Sequence, residues 1–337
     1  KRQELITMTS QLIDQFSRKI NYIRISVTDR CNYRCIYCMS EHMVFLPKKD
    51  LLSLKEINRL ASIFISLGVI KIRITGGEPL VRKNIDTLFH NIGKNEKLHE
   101  LTLTTNASQL KNKADMLKAS GVKRINISLD SLNPINFKKM TRTGNLKHVL
   151  EGIDHTIAIG IKQIKINSVL MKGVNDHEMF DLINFAIHKK IDISFIEEMP
   201  LGETEFLRKD TAISNDDILE KIKNKYTIVK IAHQTGGPAK YWKVIGTNTR
   251  IGLISPHSNN FCEECNRVRI SCKGELFLCL GQNDKIELMP LLRANPYNDQ
   301  PIKDAILNSM KIKPASHEFN INQSKPTVVR FMSHTGG

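Results

Sequence analysis

Three cysteines within eight residues, Cys31, Cys35 and Cys38, are the most chemically loaded spacing in the chain. Three thiolates separated by three and then two residues can ligate three irons of a cubane 4Fe-4S cluster, which leaves the fourth iron without a protein ligand. An iron left open in this way can bind and reduce a small molecule. A zinc knuckle or a disulfide is the ordinary alternative for close cysteines, but zinc favours paired two-residue spacings and four ligands in all.

A second set of three follows far downstream. Cys262-Glu-Glu-Cys265, thirteen residues, then Cys279 offers three more thiolates, with Cys272 between them as a possible fourth. Taken alone, paired cysteines around a short hairpin read as a zinc ribbon as readily as a cluster site. Arg267 and Arg269 stand two apart on a predicted strand directly after Cys265, so they project to one side and are placed either to clamp phosphates bidentately or to form a solvated face. Cys272 breaks the spacing and reads as a small core residue.

Composition bounds the remaining choices. The 337 residues suffice for one large domain or one plus an appendage with a sizeable core. Lys and Arg number 50 against 34 Asp and Glu, a net +16, which attracts anions such as a polyphosphate or nucleic acid, or simply marks a basic solvated surface. The basic residues are not in blocks and only 6% of residues are aromatic, so no stacking platform for single-stranded nucleic acid is evident. Seven cysteines, six of them in two tight groups, do not follow the dispersed pattern of a secreted scaffold and favour a reducing compartment. No apolar run approaches the roughly 20 residues needed to span a bilayer, and no signal-peptide core is visible. A soluble, cytoplasmic protein is expected. The chain opens on Lys1, with Met8 as a candidate start, so residues 1–7 enter no argument.

The elements that must position the cysteines alternate between strand and helix from Asn21 to about Pro200, the signature of a parallel α/β sheet. Six strands are predicted: Tyr22–Thr28, Lys71–Gly76, Glu100–Asn106, Arg124–Asp130, Gln163–Leu170 and Ile193–Met199. Ser53-Leu-Lys-Glu56 is a capping box opening the first helix, and Gly68, Gly93, Gly121 and Gly160 are read as helix stops. Five strands alternate sharply, for example Ile72 and Ile74 against Lys71, Arg73 and Thr75. A parallel strand is ordinarily apolar on both faces. If the sheet curls with helices outside, its polar face lines a lumen holding Arg24, Lys71, Arg73 and Lys165, suited to a large anion; an antiparallel sheet with one wet face would alternate equally well. Six units do not close a barrel that normally needs eight, so the expected fold is an incomplete (β/α)6 barrel of the TIM type. A C-terminal α+β extension then follows, with a helix from Ser214 to about Lys225, strands at Tyr226–Ala232, Tyr241–Ile245 and Arg250–Ile254, and a helix near Ile302–Lys311. The boundary is placed near residue 210, giving domains 1–210 (residues 1–15 an N-terminal extension) and 211–337.

Taken together, Thr28-Asp29, the first triplet, Ile74-Thr-Gly-Gly-Glu-Pro79, Thr104-Thr-Asn106, Ile125-Asn-Ile-Ser-Leu-Asp130, Phe261-Cys-Glu-Glu-Cys-Asn-Arg-Val-Arg269, Cys279 and the closing Gly336-Gly337 are similar to the GTP 3',8-cyclases of molybdenum cofactor biosynthesis. These are radical S-adenosylmethionine enzymes with two 4Fe-4S clusters, and the likeness runs from about Phe16 to the end. It implies that the first cluster binds S-adenosylmethionine at its open iron and gives the electron that breaks a sulfonium–carbon bond. Tyr37, Gly76, Gly77, Glu78, Pro79, Ser128 and Met199 would contact that molecule. A second cluster on Cys262, Cys265 and Cys279, in the extension, would hold the guanine base. Arg24, Arg73, Thr104, Lys165, Arg267, Val268 and Arg269 would surround GTP, and Arg24, Arg267, Arg269, Gly336 and Gly337 would serve catalysis. The implied reaction takes H3' from the ribose with a 5'-deoxyadenosyl radical, after which C3' attacks guanine C8 to give (8S)-3',8-cyclo-7,8-dihydroguanosine 5'-triphosphate. A homodimer, an external flavodoxin- or ferredoxin-type electron donor and hand-over of the product to the cyclic pyranopterin monophosphate synthase are implied too, with no nucleic acid or membrane partner.

Two positions depart from the family. Relatives usually read Arg-Phe-Ile-Glu on the sixth strand where this chain has Ser194-Phe-Ile-Glu197, with Lys189 and Lys190 as candidate replacements for the missing guanidinium. The usual Thr-Thr-Asn-Gly becomes Thr104-Thr-Asn-Ala107, which asks a residue with a Cβ to make the following turn. Two other readings compete: a different twice-clustered radical enzyme such as a peptide-maturing one, and a zinc-ribbon RNA-binding or regulatory protein.

Overall fold

Alternating strands separated by helices can pair in parallel, with each helix as the crossover. In the computed structural model, which describes residues 11–202, 208–256, 261–319 and 328–336, they do so. β1 (Tyr22–Ser26), β2 (Lys71–Thr75), β3 (Glu100–Thr105), β4 (Val122–Ser128), β5 (Gln163–Val169) and β6 (Asp192–Ile196) pair in sequence order, each parallel to the next. The wet-faced antiparallel alternative is thereby excluded. The crossovers are α1 (Leu54–Ser66), α2 (Ile85–Gly93), α3 (Leu110–Ala119), the pair α4 (Pro134–Thr141) and α5 (Leu146–Ala158), and α6 (Met179–Lys189). Residues Ile23, Ile25, Ile72, Ile74, Leu103, Ile125, Ile127 and Ile166 are wholly buried in one core with the apolar helix faces. Each such side chain contributes about 1.5–3 kcal/mol.

Both halves of the capping box form at Ser53 and Glu56, and Gly68, Gly121 and Gly160 stop their helices with positive φ. Gly93 does something else. It is the last helical residue of α2, and a Cβ there would stand 1.9 Å from the Ser120 carbonyl oxygen, so its small size serves helix-to-loop packing rather than a left-handed stop.

The extension closes on the barrel from both sides. After α7 (Arg208–Thr211) and α8 (Asn215–Lys225), β7 (Ile228–Ile231), β8 (Lys240–Val244) and β9 (Arg250–Ile254) form an antiparallel meander whose last strand lies parallel on β6. β10 (Arg267–Ile270) lies parallel on β1 and carries β11 (Glu275–Phe277) and β12 (Lys285–Glu287) antiparallel outside it. Eight parallel strands, β10, β1 to β6 and β9, thus stand side by side within a 12-stranded open sheet. The sheet crosses the expected boundary near residue 210 without a break. α9 (Leu288–Ala294), α10 (Gln300–Ser309) and α11 (Met332–Thr335) complete the chain. No helix among the described residues is long and apolar enough to cross a membrane.

Arg18 ties three distant segments together. Its guanidinium pairs with Asp14 at 2.6 Å and donates to the carbonyls of Cys262, Pro314 and Ala315 at 2.6–2.8 Å. The pair is buried, and removing one partner of a buried pair leaves the other uncompensated. Arg18→Met is expected to lower the unfolding free energy by about 3–5 kcal/mol, read by denaturant titration of the metal-free chain. A loss below about 1 kcal/mol would reduce the latch to a surface-like contact.

Candidate functional site

The first cysteine loop is set by backbone hydrogen bonds before any metal enters. Amides of Arg34 and Ile36 donate to the carbonyls of Thr141 and Met140, while Cys38 and Met39 close a helical turn back onto Cys35. The glycine pair follows from that closeness. A Cβ at Gly76 would lie 2.5 Å from the Thr28 carbonyl oxygen, and one at Gly77 2.5 Å from that of Arg30. The amides of Gly77 and Glu78 donate to those same two carbonyls. Only glycines let this turn press against the loop.

The three cysteines are free thiols, and the Cys31 sulfur accepts from the Tyr33 amide at 3.4 Å and the Asn106 side chain at 3.6 Å. Burial, reinforced by neighbouring anions, pushes Cys31 up to about 11 and Cys38 up to about 12, and raises Cys35 as well. Such thiols become thiolates when a metal cation replaces the proton. Among the described residues no three His, Cys, Asp or Glu side chains, exposed His42 included, converge on a point that would hold a single ion. A cubane spreads its thiolates over several irons, so the donor set fits it.

Polar anchors surround the loop. Glu78, 0% exposed, accepts from the Leu80 amide, the Thr105 hydroxyl and the Asn106 amide at 2.6–3.0 Å. Burial nevertheless lifts it to about 7. Asp130, lifted to about 6 by burial, accepts from the Tyr37 hydroxyl at 2.7 Å. Ala107 makes its turn at φ +60°, the left-handed conformation that the Gly-to-Ala departure forces on a residue with a Cβ, at a cost of about 1–2 kcal/mol.

The inner faces of the strands line a cavity. Its wall contains Arg24, Arg73, Lys165, Arg267, Val268 and Arg269 beside Cys262, Cys265, Cys279 and Met199. The polar strand faces and the second cysteine set therefore meet in one place. Five cations, Arg24, Arg73, Lys165, Arg267 and Arg269, share this wall, and among its described residues there is no carboxylate. Burial and mutual repulsion lower Arg24 to about 10 and Arg269 well below its usual range. Burial lowers Lys165 too, though the Tyr241 hydroxyl, 3.1 Å away, partly offsets this. The Nε of Arg24 is buried with no hydrogen-bond partner. Like charges crowded in low dielectric are costly until an anion joins them.

Several expectations change on contact with the geometry. Lys71 lines a different pocket, paired with Glu100 at 2.6 Å and donating to the Thr235 carbonyl, because it stands two residues earlier on its strand than Arg73. Thr104, Ser128, Tyr37 and the Gly76–Glu78 turn lie outside the cavity wall; Thr104 instead accepts from the Arg73 guanidinium at 3.1 Å. The Val268 side chain belongs to the outer core. Lys189 is held by Asp154 on the outer surface and Lys190 is exposed, so neither replaces the arginine absent at Ser194. There Tyr241 packs against Gly252, beside Ser194, and offers a hydroxyl instead. Cys272 is wholly buried, as its spacing suggests.

Among the described residues of the tail, Val328, Ser333, Thr335 and Gly336 are buried. Val328 bridges to Leu201, Arg330 donates to the Cys279 and Leu280 carbonyls, and His334 offers its carbonyl to the Cys272 amide. Gly336 gives its carbonyl to Arg269 at 2.5 Å, and a Cβ on it would fall 2.1 Å from Thr75. Gly337 lies outside the described residues. Sequence reasoning missed Tyr22, which accepts from the Arg73 Nε at 2.5 Å inside the wall. It also missed Asn126 and Asn167, whose places on the polar strand faces were a usable signal.

A model of the radical SAM superfamily matches residues 25–186, and one described as Molybdenum Cofactor Synthesis C matches residues 191–319. The chain is 50% identical to the GTP 3',8-cyclase of Saccharophagus degradans over 97% of its own length and 99% of that protein's. It is 49% identical to that of Ectopseudomonas mendocina over 98% and 99%. Among solved structures, Streptococcus suis SuiB superposes with a TM-score of 0.59 at 17% identity, covering 94% of this chain and 77% of that one. That likeness concerns the fold alone.

Burial would raise the Tyr22 phenol, yet Arg73, Arg24 and Lys71 bring it down to about 7. An unfolded tyrosine ionises near about 10, so the stabilisation this group supplies is complete above that value and is lost as pH falls through about 7. Near-ultraviolet titration of the metal-free chain is expected to show one tyrosine ionising near neutrality, absent in Tyr22→Phe. A first ionisation only near pH 10 would show that the guanidiniums do not act on the phenol.

Proposed function

The chain belongs to the GTP 3',8-cyclases, the radical S-adenosylmethionine enzymes of the first step of molybdenum cofactor biosynthesis, and on that premise we propose how its own residues serve the reaction. Cys31, Cys35 and Cys38 hold one 4Fe-4S cluster, and Cys262, Cys265 and Cys279 hold the second. When bound, the clusters and S-adenosylmethionine supply an electron and the hydrogen-abstracting radical, and the protein's part is binding, orientation and exclusion of water. On this reading residues 1–210 carry the S-adenosylmethionine side, with Tyr37, Gly76, Gly77, Glu78, Ser128 and Met199 around it. Residues 211–337 bring the guanine side and the tail.

The observation that carries the substrate assignment is the wall of five cations with no carboxylate among its described residues. GTP brings a triphosphate whose charge relieves their repulsion, and its base then lies toward the second cysteine set on the same wall. Arg73 is presented by two hydroxyl groups, those of Tyr22 and Thr104, so less of its freedom is lost on binding. Arg269 bonds the Gly336 carbonyl and so couples the phosphate side to the tail. The tail fills lumen space and keeps water from the reacting ribose. The reading extends to a homodimer, an external flavodoxin- or ferredoxin-type electron donor, delivery of the product to the cyclic pyranopterin monophosphate synthase, and a cytoplasmic setting.

With reductant, S-adenosylmethionine and a nucleotide panel, GTP is expected to drive release of 5'-deoxyadenosine and formation of the cyclic nucleotide. Release with a peptide but not with GTP would overturn the substrate. Arg269→Ala is expected to lower kcat/KM for GTP by about 10- to 100-fold, the loss of one charge-assisted contact. Gly336→Ala, whose methyl collides with Thr75, is expected to abolish cyclisation with iron content unchanged; full turnover would remove the tail from the mechanism.

A further inference from the structure

A lysine beyond α10, in no motif, lies against the second cysteine set. Lys313 is 1% exposed and among the largest fully buried side chains of the molecule. Its Nζ donates to the Leu278 carbonyl at 2.5 Å, next to Cys279, and stands 3.7 Å from the Cys265 sulfur. The backbone around it is fixed from the other side of the chain: Gln15 donates to the Lys313 carbonyl, and Arg18 takes the carbonyls of Pro314 and Ala315. Its position is therefore built, not incidental.

Among the described residues no Asp or Glu forms an ion pair with Lys313. An ammonium taken out of water without a counter-charge is very costly. The anionic group within reach is the thiolate set of Cys262, Cys265 and Cys279. The first triplet is surrounded differently. Its Cys31 sulfur receives neutral N–H donors from Tyr33 and Asn106; Arg34 bonds the Cys31 carbonyl rather than a sulfur and Arg208 is paired with Glu198, and the carboxylates of Glu78 and Asp130 stand close by, Glu78 on Asn106 and Asp130 on Tyr37. Net charge and hydrogen bonds to sulfur set a cluster's reduction potential.

We propose that Lys313 is a positioning residue for the second cluster, its ammonium compensating the thiolate charge at Cys265 and holding that cluster's reduction potential above that of the first. Arg267 flanks Cys265 from the cavity, its guanidinium over the Phe261 ring, where the substrate competes for it. Lys313 flanks the cysteine from the protein side, where no substrate reaches. The charge it supplies is therefore constant through the catalytic cycle. The inference rests on the reading of Cys262, Cys265 and Cys279 as a cluster site.

The test reconstitutes the full chain, Lys313→Met and Lys313→Arg anaerobically, counts iron and sulfide, and titrates the clusters by electron paramagnetic resonance against potential. Wild type is expected to hold about eight irons; about four, with the second cysteines unligated, would remove both the cluster reading and this inference. In Lys313→Met the midpoint of the second cluster is expected to move negative while that of the first stays, and Lys313→Arg is expected to keep most of the wild-type value. Selective loss of the second cluster in Lys313→Met, but not in Lys313→Arg, supports the same role. An unchanged midpoint in an eight-iron Lys313→Met, or loss of the second cluster in both variants, would overturn it.

Discussion

A parallel sheet has to be covered on both faces, and one face of this sheet is too charged for side chains to cover. The outer face is met by apolar helices in the usual way. The inner face carries Arg24, Arg73 and Lys165 from the barrel strands, and β10 adds Arg267 and Arg269. These groups cannot satisfy one another. The lumen is consequently suited to a polar, anionic occupant, and several other features of the molecule can be understood as arranging that filling.

The tail is the protein's own share of it. A stretch of polar composition would ordinarily lie in solvent, yet Ser333, Thr335 and Gly336 are buried against β1 and β2, held by their backbone carbonyls: Ser26 donates to that of Ser333 and Arg269 to that of Gly336. The two cysteine loops are tied into the same framework by contacts to their backbones as well as to their side chains. Gly76 and Gly77 press directly on residues 28–30, and Arg18 grips the Cys262 carbonyl. Both cysteine loops are thus anchored in the surrounding fold.

Much of this was legible in the residues. Period-two alternation marked five of the six barrel strands and the cations of the lumen, since a strand's two faces are fixed by parity alone. Thiolate spacing located both cysteine sets for the same local reason. What stayed hidden depends on contacts between distant segments. Parity put Lys71 in the lumen but not its depth there, and depth brought it to Glu100 instead of the cavity. Gly93 looked like a helix stop, although its constraint comes from Ser120 in the next loop. No local pattern shows that β9 and β10 add a parallel strand to each edge, or that Lys313 reaches Cys265.

The pairing of β10 with β1 has a bearing on how the molecule is made. The first strand to be synthesised finds one of its two neighbours only after nearly the whole chain has followed. Until then one edge of β1 exposes its amides and carbonyls, a template for wrong partners, and the many distant contacts make closure slow. Until β10 arrives, the lumen also lacks the wall that carries Arg267 and Arg269. In a nascent chain the first cysteine set is therefore complete, on strands that already have neighbours, long before Cys262, Cys265 and Cys279 are synthesised.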